Sequence, residues 1–159
     1  MDEQKKIREI KENKKQYLDL LLLADEQEDM IDRYLERGTM YVLDDDGIKA
    51  ECVVTDEGGG ILEIKNLAVA PGSQRCGYGR KMIRFLSDVY SGRFDILQVG
   101  TGDSPLTIPF YENCGFRRSH VVKGFFTEHY DHPIYENGRH LTDMVYLRMR
   151  LRAETDPGK

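Results

Sequence analysis

The chain has 159 residues, 40% of them apolar and 32% charged, with a net charge of −5. That length buries a core without disulfide or metal staples, and the charge balance argues against a nucleic-acid surface, which needs a clustered excess of Lys and Arg. The longest unbroken apolar run, residues 20–24, cannot cross a bilayer; the Lys- and Glu-rich start lacks an apolar signal core; and Cys52, Cys76 and Cys114 show no CxxC spacing. The expectation is a cytoplasmic protein with reduced thiols, no metal site and no membrane contact.

In chain order, residues 5–11 read equally as a short first strand or as the start of a long helix. Tyr17, Leu18, Leu21 and Leu22 form one helical stripe, and Met30, Ile31, Tyr34 and Leu35 a second, closed by Gly38 as a C-terminal cap. Strands at 40–43 and 48–55 flank Asp44-Asp45-Asp46-Gly47, a hairpin signal. Three glycines at 58–60 lead into a strong strand, 61–70, which Pro71-Gly72 stops. A helix at 77–90, a strand at 94–99, a short helix at 106–113 capped by Gly115, and strands at 116–122 and 143–151 complete the pattern. No repeat or low-complexity linker interrupts it, so one domain is expected over 1–159, with its core at about 5–152. The fold class is α/β: a mixed sheet covered by helices.

The stretch Gln74-Arg75-Cys76-Gly77-Tyr78-Gly79-Arg80-Lys81 lies where a strand hands over to a helix. Helix N-termini expose unpaired N–H groups and favour acids, yet Arg75, Arg80 and Lys81 crowd this one with no acid beside them in sequence. A multiply charged anion in the turn accounts for that choice, and Gly77 and Gly79 remove side chains where a phosphate approaches the backbone. A nucleotide P-loop needs GxxxxGK[ST], which is absent, and a dinucleotide fold needs GxGxxG after the first strand.

Leu67-Ala68-Val69-Ala70-Pro71 precedes this turn, and Phe110-Tyr111-Glu112-Asn113-Cys114-Gly115-Phe116 follows. In this order the segments resemble the [QR]xxGx[GA] signature and the "FYxxxGF" segment of the GNAT superfamily of acyl-CoA N-acyltransferases, over most of the chain. The resemblance implies a mostly antiparallel sheet of six to seven strands with about four helices, splayed between the fourth and fifth strands. It implies acetyl-CoA as co-substrate. Gln74, Arg75, Cys76, Gly77, Tyr78, Gly79 and Arg80 would hold its pyrophosphate, while Leu67, Ala68 and Val69 pair with pantetheine. Many relatives carry Asn where this chain has Gly100-Thr101-Gly102-Asp103, which leaves one pantetheine contact open. Such folds also pair through sheet edges, so a homodimer is one option.

Attack of an amine on a thioester requires loss of a proton from a group with pKa near ~10.4, and hence a base. Strand alternation places Glu63, Lys65, Leu67 and Val69 on one face, and Glu63-Ile64 followed by Ala68-Val69 resembles the segment that bears the catalytic glutamate in several GNAT enzymes. Glu63 is therefore the expected base, direct or through a water. A backbone N–H near Leu67 is the expected oxyanion donor, and Tyr111 the acid or hydrogen-bond donor for the leaving thiolate. Residues 123–140 gather Phe125, Phe126, Glu128, His129, Tyr130, Asp131, His132, Tyr135 and Glu136, suitable company for a cationic amine of a small molecule or peptide. The histidines lack a defined third ligand, so no metal is expected. Two other readings are a non-catalytic acyl-CoA-binding or sensor domain, indifferent to Glu63 and Tyr111, and a nucleic-acid binder using Arg75, Arg80 and Lys81, which the net charge disfavours.

Overall fold

Apolar residues on both faces of the strands require cover on both sides, and the helices supply it. The computed structural model describes residues 6–136 and 138–151. Its elements run β1 (Ile7–Ile10), α1 (Leu18–Ala24), α2 (Glu28–Asp32), β2 (Thr39–Asp44), β3 (Ile48–Asp56), β4 (Ile61–Val69) and α3 (Tyr78–Tyr90). They continue with β5 (Ile96–Gly102), α4 (Ile108–Asn113), β6 (Arg117–Val122), α5 (Phe125–His129), β7 (Ile134–Glu136), β8 (Arg139–Leu141) and β9 (Met144–Arg150). Seven strands form one sheet in the order β1-β2-β3-β4-β5-β9-β6, and β7 pairs with β8. Only β4 and β5 are parallel, joined through α3; the other neighbours are antiparallel.

One face of the sheet packs Cys52, Val54, Leu62, Ile64 and Leu97 against Met82, Ile83 and Leu86 of α3. The other packs Met40, Val42 and Val53 against Leu21 of α1 and Ile31 of α2. Leu86, Leu21 and Ile31 are fully buried, each side chain contributing about 1.5–3 kcal/mol. A third cluster of Phe126, Ile134 and Leu141 joins α5 to the β7–β8 hairpin.

The first segment is a strand, because Ile7 and Ile10 are buried and pair with Leu43 and Met40 of β2. The expected strand start at residue 5 and core limit at residue 152 lie outside the described residues. The second helical stripe is shorter than its periodicity indicates: α2 stops at Asp32, and turns follow. The buried Lys14 ammonium donates to the Leu35 and Gly38 carbonyls at 2.9 and 2.7 Å, satisfying acceptors at the end of the turn segment that have no helical partner. Gly38 is not a left-handed cap. A Cβ there would stand 2.7 Å from Val53 Cγ1 and 2.8 Å from the Tyr34 carbonyl oxygen, so close approach selects glycine. β5 runs on to Gly102, and residues 123–140 hold α5 and the β7–β8 hairpin, giving five α-helices among the described residues where about four were expected.

The strand alternation expected for β4 fails at one point. Val53 pairs with Asn66 and Val54 with Ile64, so Lys65 is the extra residue of a β-bulge. Upstream of it Glu63 stands on the face opposite Leu62 and Ile64. Downstream, Leu67 and Val69 pack into the α3-side core, while Asn66 turns to α1 and donates to the Leu21 carbonyl. Glu63 and Leu67 therefore do not share a face.

Candidate active site

The β4–β5 ladder is short. It pairs Ile61 with Ile96 and ends at Ile64 with Val99. Beyond that point β4 keeps its β3 partners as far as Val69, whereas β5 stays with β9 as far as Gly102. The strands separate around a cleft of about 490 Å³ that runs through the sheet. On the α3 side it is lined by Leu67, Thr101, Thr107 and Tyr111, and on the α1 side by Asp25, Glu26, Tyr130 and Glu136. Past Ile64, backbone groups of β4 directed at β5 have no strand to pair with, an open edge inside the protein.

The glycine-rich turn opens α3. Gly77 is left-handed at φ 85° with no side-chain cap on the helix, and the first turn holds no acid. A Cβ on Gly77 would meet nothing within 4 Å. Gly79 differs from expectation: its Cβ would lie 2.9 Å from Phe110 Cζ, so it lets α3 approach α4 and is buried there. Arg75 also adopts a positive φ of 67°, and Arg80 reaches the Asn113 carbonyl at 3.2 Å. The turn has an acid near it after all. Tyr78 Oη donates to Asp45 Oδ2 at 2.9 Å, and Lys6 holds Asp45 Oδ1 at 2.8 Å, keeping that carboxyl below its usual range. The turn residues Gln74, Arg75 and Cys76 are all surface-exposed, and the uncapped backbone donors of the helix start with the flanking guanidinium groups suit a diphosphate.

Glu63 is 6% exposed. Its Oε1 accepts from Gln98 Nε2 at 2.6 Å and its Oε2 pairs with Lys65 Nζ at 2.9 Å. Gln98 is held in turn by Arg148 Nε at 2.7 Å. Glu63 is outside the cleft lining, one position before the last β4–β5 pair, while its partner Lys65 is within it. Tyr111 lines the cleft from α4, wedged edge-on between Phe110 and Phe116. Burial pushes its phenol far above the usual value, so it stays protonated at neutral pH and has a proton to donate. Leu67 lines the cleft too; Ala68 faces away from the α3-side core and is 6% exposed. Asp103 lies outside the lining and pairs with Arg139 at 3.3 Å.

The α1-side mouth contains groups that the sequence did not single out. Asp25 accepts from Tyr34 Oη at 3.0 Å and from Tyr130 Oη at 2.6 Å. Burial pushes its carboxyl up. Tyr34 Oη accepts from Asn66 Nδ2 at 3.0 Å, linking β4, α1 and α5 in one network. Asn66 carried a signal, as a polar residue inside an apolar strand, but its direction depends on the bulge. Asp25 was hidden in the acidic run after α1. Among the described residues no group of three His, Cys, Asp or Glu side chains is placed to hold a metal.

Residues 36–118, spanning β2 to β6, match the family model described as an acetyltransferase (GNAT) domain. The chain belongs to the GNAT family. It is 36% identical over 138 residues to the uncharacterized N-acetyltransferase YvbK of Bacillus subtilis (strain 168), covering 84% of this chain and 88% of that one. The GNAT acetyltransferase from Elizabethkingia anophelis, solved with acetyl-CoA bound, superposes with a TM-score of 0.86 at 34% identity, covering 91% and 97% of the two chains. The IAA acetyltransferase from Bacillus cereus ATCC 14579 superposes at 0.84 and 36%, covering 91% and 98%. This GNAT chain is thus an N-acetyltransferase, and it shares its fold with the two solved structures over 91% of its length.

Proposed function

We propose that this enzyme transfers an acetyl group from acetyl-CoA to a primary amine of a small molecule or peptide, by direct attack of the amine on the thioester. The observation that carries the reading is the open edge of β4 beyond Ile64, which lies in a cleft reaching both Leu67 and Tyr111. An extended amide chain such as pantetheine completes that edge as an added strand would, with Leu67, Ala68 and Val69 as its partners. The turn from Gln74 through Cys76, Gly77, Tyr78 and Gly79 to Arg80 receives the pyrophosphate. The Elizabethkingia relative, with acetyl-CoA bound, supports the assignment. Three unpaired thiols suit a cytoplasmic enzyme.

In this reading a backbone N–H near Leu67 faces the oxygen on which charge develops. Glu63 takes the amine proton through a water, its carboxylate oriented by Gln98 and by Lys65, which itself lines the cleft. Tyr111 donates a hydrogen bond to the departing sulfur. A thiolate with a parent pKa near ~8.5 is stabilised by a phenol without taking its proton outright.

The test is thiol release from acetyl-CoA across a panel of amines. Glu63→Gln is expected to lower kcat by about 100-fold or more, and Tyr111→Phe by about 10-fold. Arg75→Glu should raise the KM for acetyl-CoA with kcat little changed. Unaltered kinetics in Glu63→Gln would remove it from the mechanism. Coenzyme binding with no thiol release from any amine would favour an acyl-CoA-binding module.

A further inference from the structure

The α1-side mouth of the cleft has hydrogen-bond acceptors without donors. Asn66 is 3% exposed, and its Nδ2 donates to the Leu21 carbonyl at 3.0 Å and to Tyr34 Oη at 3.0 Å. Those bonds fix the amide, because turning it over would set Oδ1 against the Leu21 carbonyl oxygen. Asn66 Oδ1 is therefore left as a buried acceptor with no partner among the described residues. Glu136, on β7, also lines the cleft, and its Oε2 is likewise buried and unpartnered. Each such atom costs about 1–3 kcal/mol unless a ligand supplies a donor.

The charges point the same way. Asp25, Glu26 and Glu136 line the cleft, and Lys65 is the one cation among the lining residues, already paired with Glu63 at 2.9 Å. Asp25 is half-buried against two neutral tyrosine hydroxyls and has no cationic partner among the described residues. The aromatic walls, Phe126, Tyr130 and Tyr135, suit a cation on an aliphatic stem. The acids occupy different elements: Glu136 comes from the hairpin, close enough to Tyr111 to add to the upward push on its phenol, and Asp25 and Glu26 follow α1.

The geometry points to a dicationic acceptor: Glu136 with Asn66 Oδ1 binds one ammonium group, and Asp25 beside Glu26 binds a second, so the substrate class is a linear diamine or polyamine. An ammonium brings three N–H donors and a positive charge, which satisfy the stranded oxygens of Asn66 and Glu136 and give Asp25 the cation it lacks, while Glu26 already faces His132 at 3.3 Å. The inference rests on the acetyl-transfer reading and narrows its acceptor.

The experiment compares the intact enzyme's kcat/KM for a linear aliphatic diamine with that for the monoamine of equal chain length, at saturating acetyl-CoA. The diamine is expected to be better by about 10- to 100-fold. Asp25→Asn should bring the diamine down to the monoamine's level. Glu136→Gln should raise the KM for the diamine about 10-fold or more, while the KM for acetyl-CoA stays put. Should Asp25→Asn fail to fold, Glu136→Gln decides by itself. Equal efficiency for the two amines overturns the proposal. So does a Glu136→Gln effect confined to acetyl-CoA, which would assign the stranded acceptors to the donor's amides. Either result leaves acetyl transfer standing, whereas no turnover of any amine removes both readings.

Discussion

Gly77 and Gly79 are two residues apart in one motif, yet different physics selects each. Gly77 takes a left-handed φ of 85° in open space, where an L side chain is strained by about 1–2 kcal/mol whatever surrounds it. Gly79 is an ordinary helical residue whose missing Cβ makes room for Phe110. Phe110 is not free to swing away, since it packs on α3 and meets the Tyr111 ring edge-on at 5.0 Å. Gly79→Ala gains roughly 1 kcal/mol of helix propensity but must push α4 outward, an overpacking cost of about 1–3 kcal/mol. The net expectation is a loss of up to about 2 kcal/mol in denaturant unfolding, together with a lower kcat, because α4 carries Tyr111. A variant as stable and as active as the parent would show that the α3–α4 contact yields freely.

At the scale of elements, α5 and the residues after it are strapped to the segment after α1. Tyr130 donates to Asp25, the Asp131 N–H donates to Gln27 Oε1 at 3.1 Å, and His132 Nε2 lies 3.3 Å from Glu26 Oε1. His132 is exposed, and its imidazole is raised above the usual value first by its hydrogen bond to Asp131 and then by Glu26. Raised means that the folded form holds the proton more tightly. The contribution is complete below about pH 6.5, the ordinary imidazole value, and disappears as pH rises through the higher folded value. Hydrogen exchange in residues 125–136, corrected for intrinsic rates, should therefore be less protected at pH 8 than at pH 6, and His132→Gln should abolish the difference. Equal protection at both pH values would mean that the other straps hold alone. These elements were not legible in the sequence: α5 and the two hairpin strands have three to five residues each, too few for a period to show. The longer elements, β2 to β4 and α3, were legible from alternation and stripe. So was the splay between β4 and β5, through the family resemblance. The bulge at Lys65 has no local signature, and it alone reverses the faces of Glu63 and Leu67 and points Asn66 into the cleft.

Considered as a whole, the molecule buries a carboxylate at its centre. Glu51 lies on β3, inside the sheet, with no exposed surface and no side-chain partner for either oxygen among the described residues; the Ala68 backbone, opposite it on β4, is the one group that favours its charged form. Burial pushes its carboxyl well above the usual value, which favours the neutral, protonated form inside the sheet. In acid, folded and unfolded chains both carry the proton and the group is nearly neutral in effect. As pH rises past the ordinary carboxyl value, the unfolded chain ionises while the folded one holds its proton. Stability therefore falls with pH until the raised folded value is reached. Glu51→Met removes both the unpaired polar atoms and this slope. The variant should be more stable by about 1–3 kcal/mol, and its advantage should be larger at pH 8 than at pH 5. Denaturant unfolding at the two pH values measures both quantities. An advantage that does not grow with pH would mean that the carboxyl ionises as readily inside the sheet as in water, and a loss of stability at both would mean that the sheet relies on Glu51 for a bond it lacks here. If the variant also keeps its acetylation rate, Glu51 is a cost carried by the fold. If the rate falls as stability rises, the buried carboxyl is part of what positions the residues around the cleft.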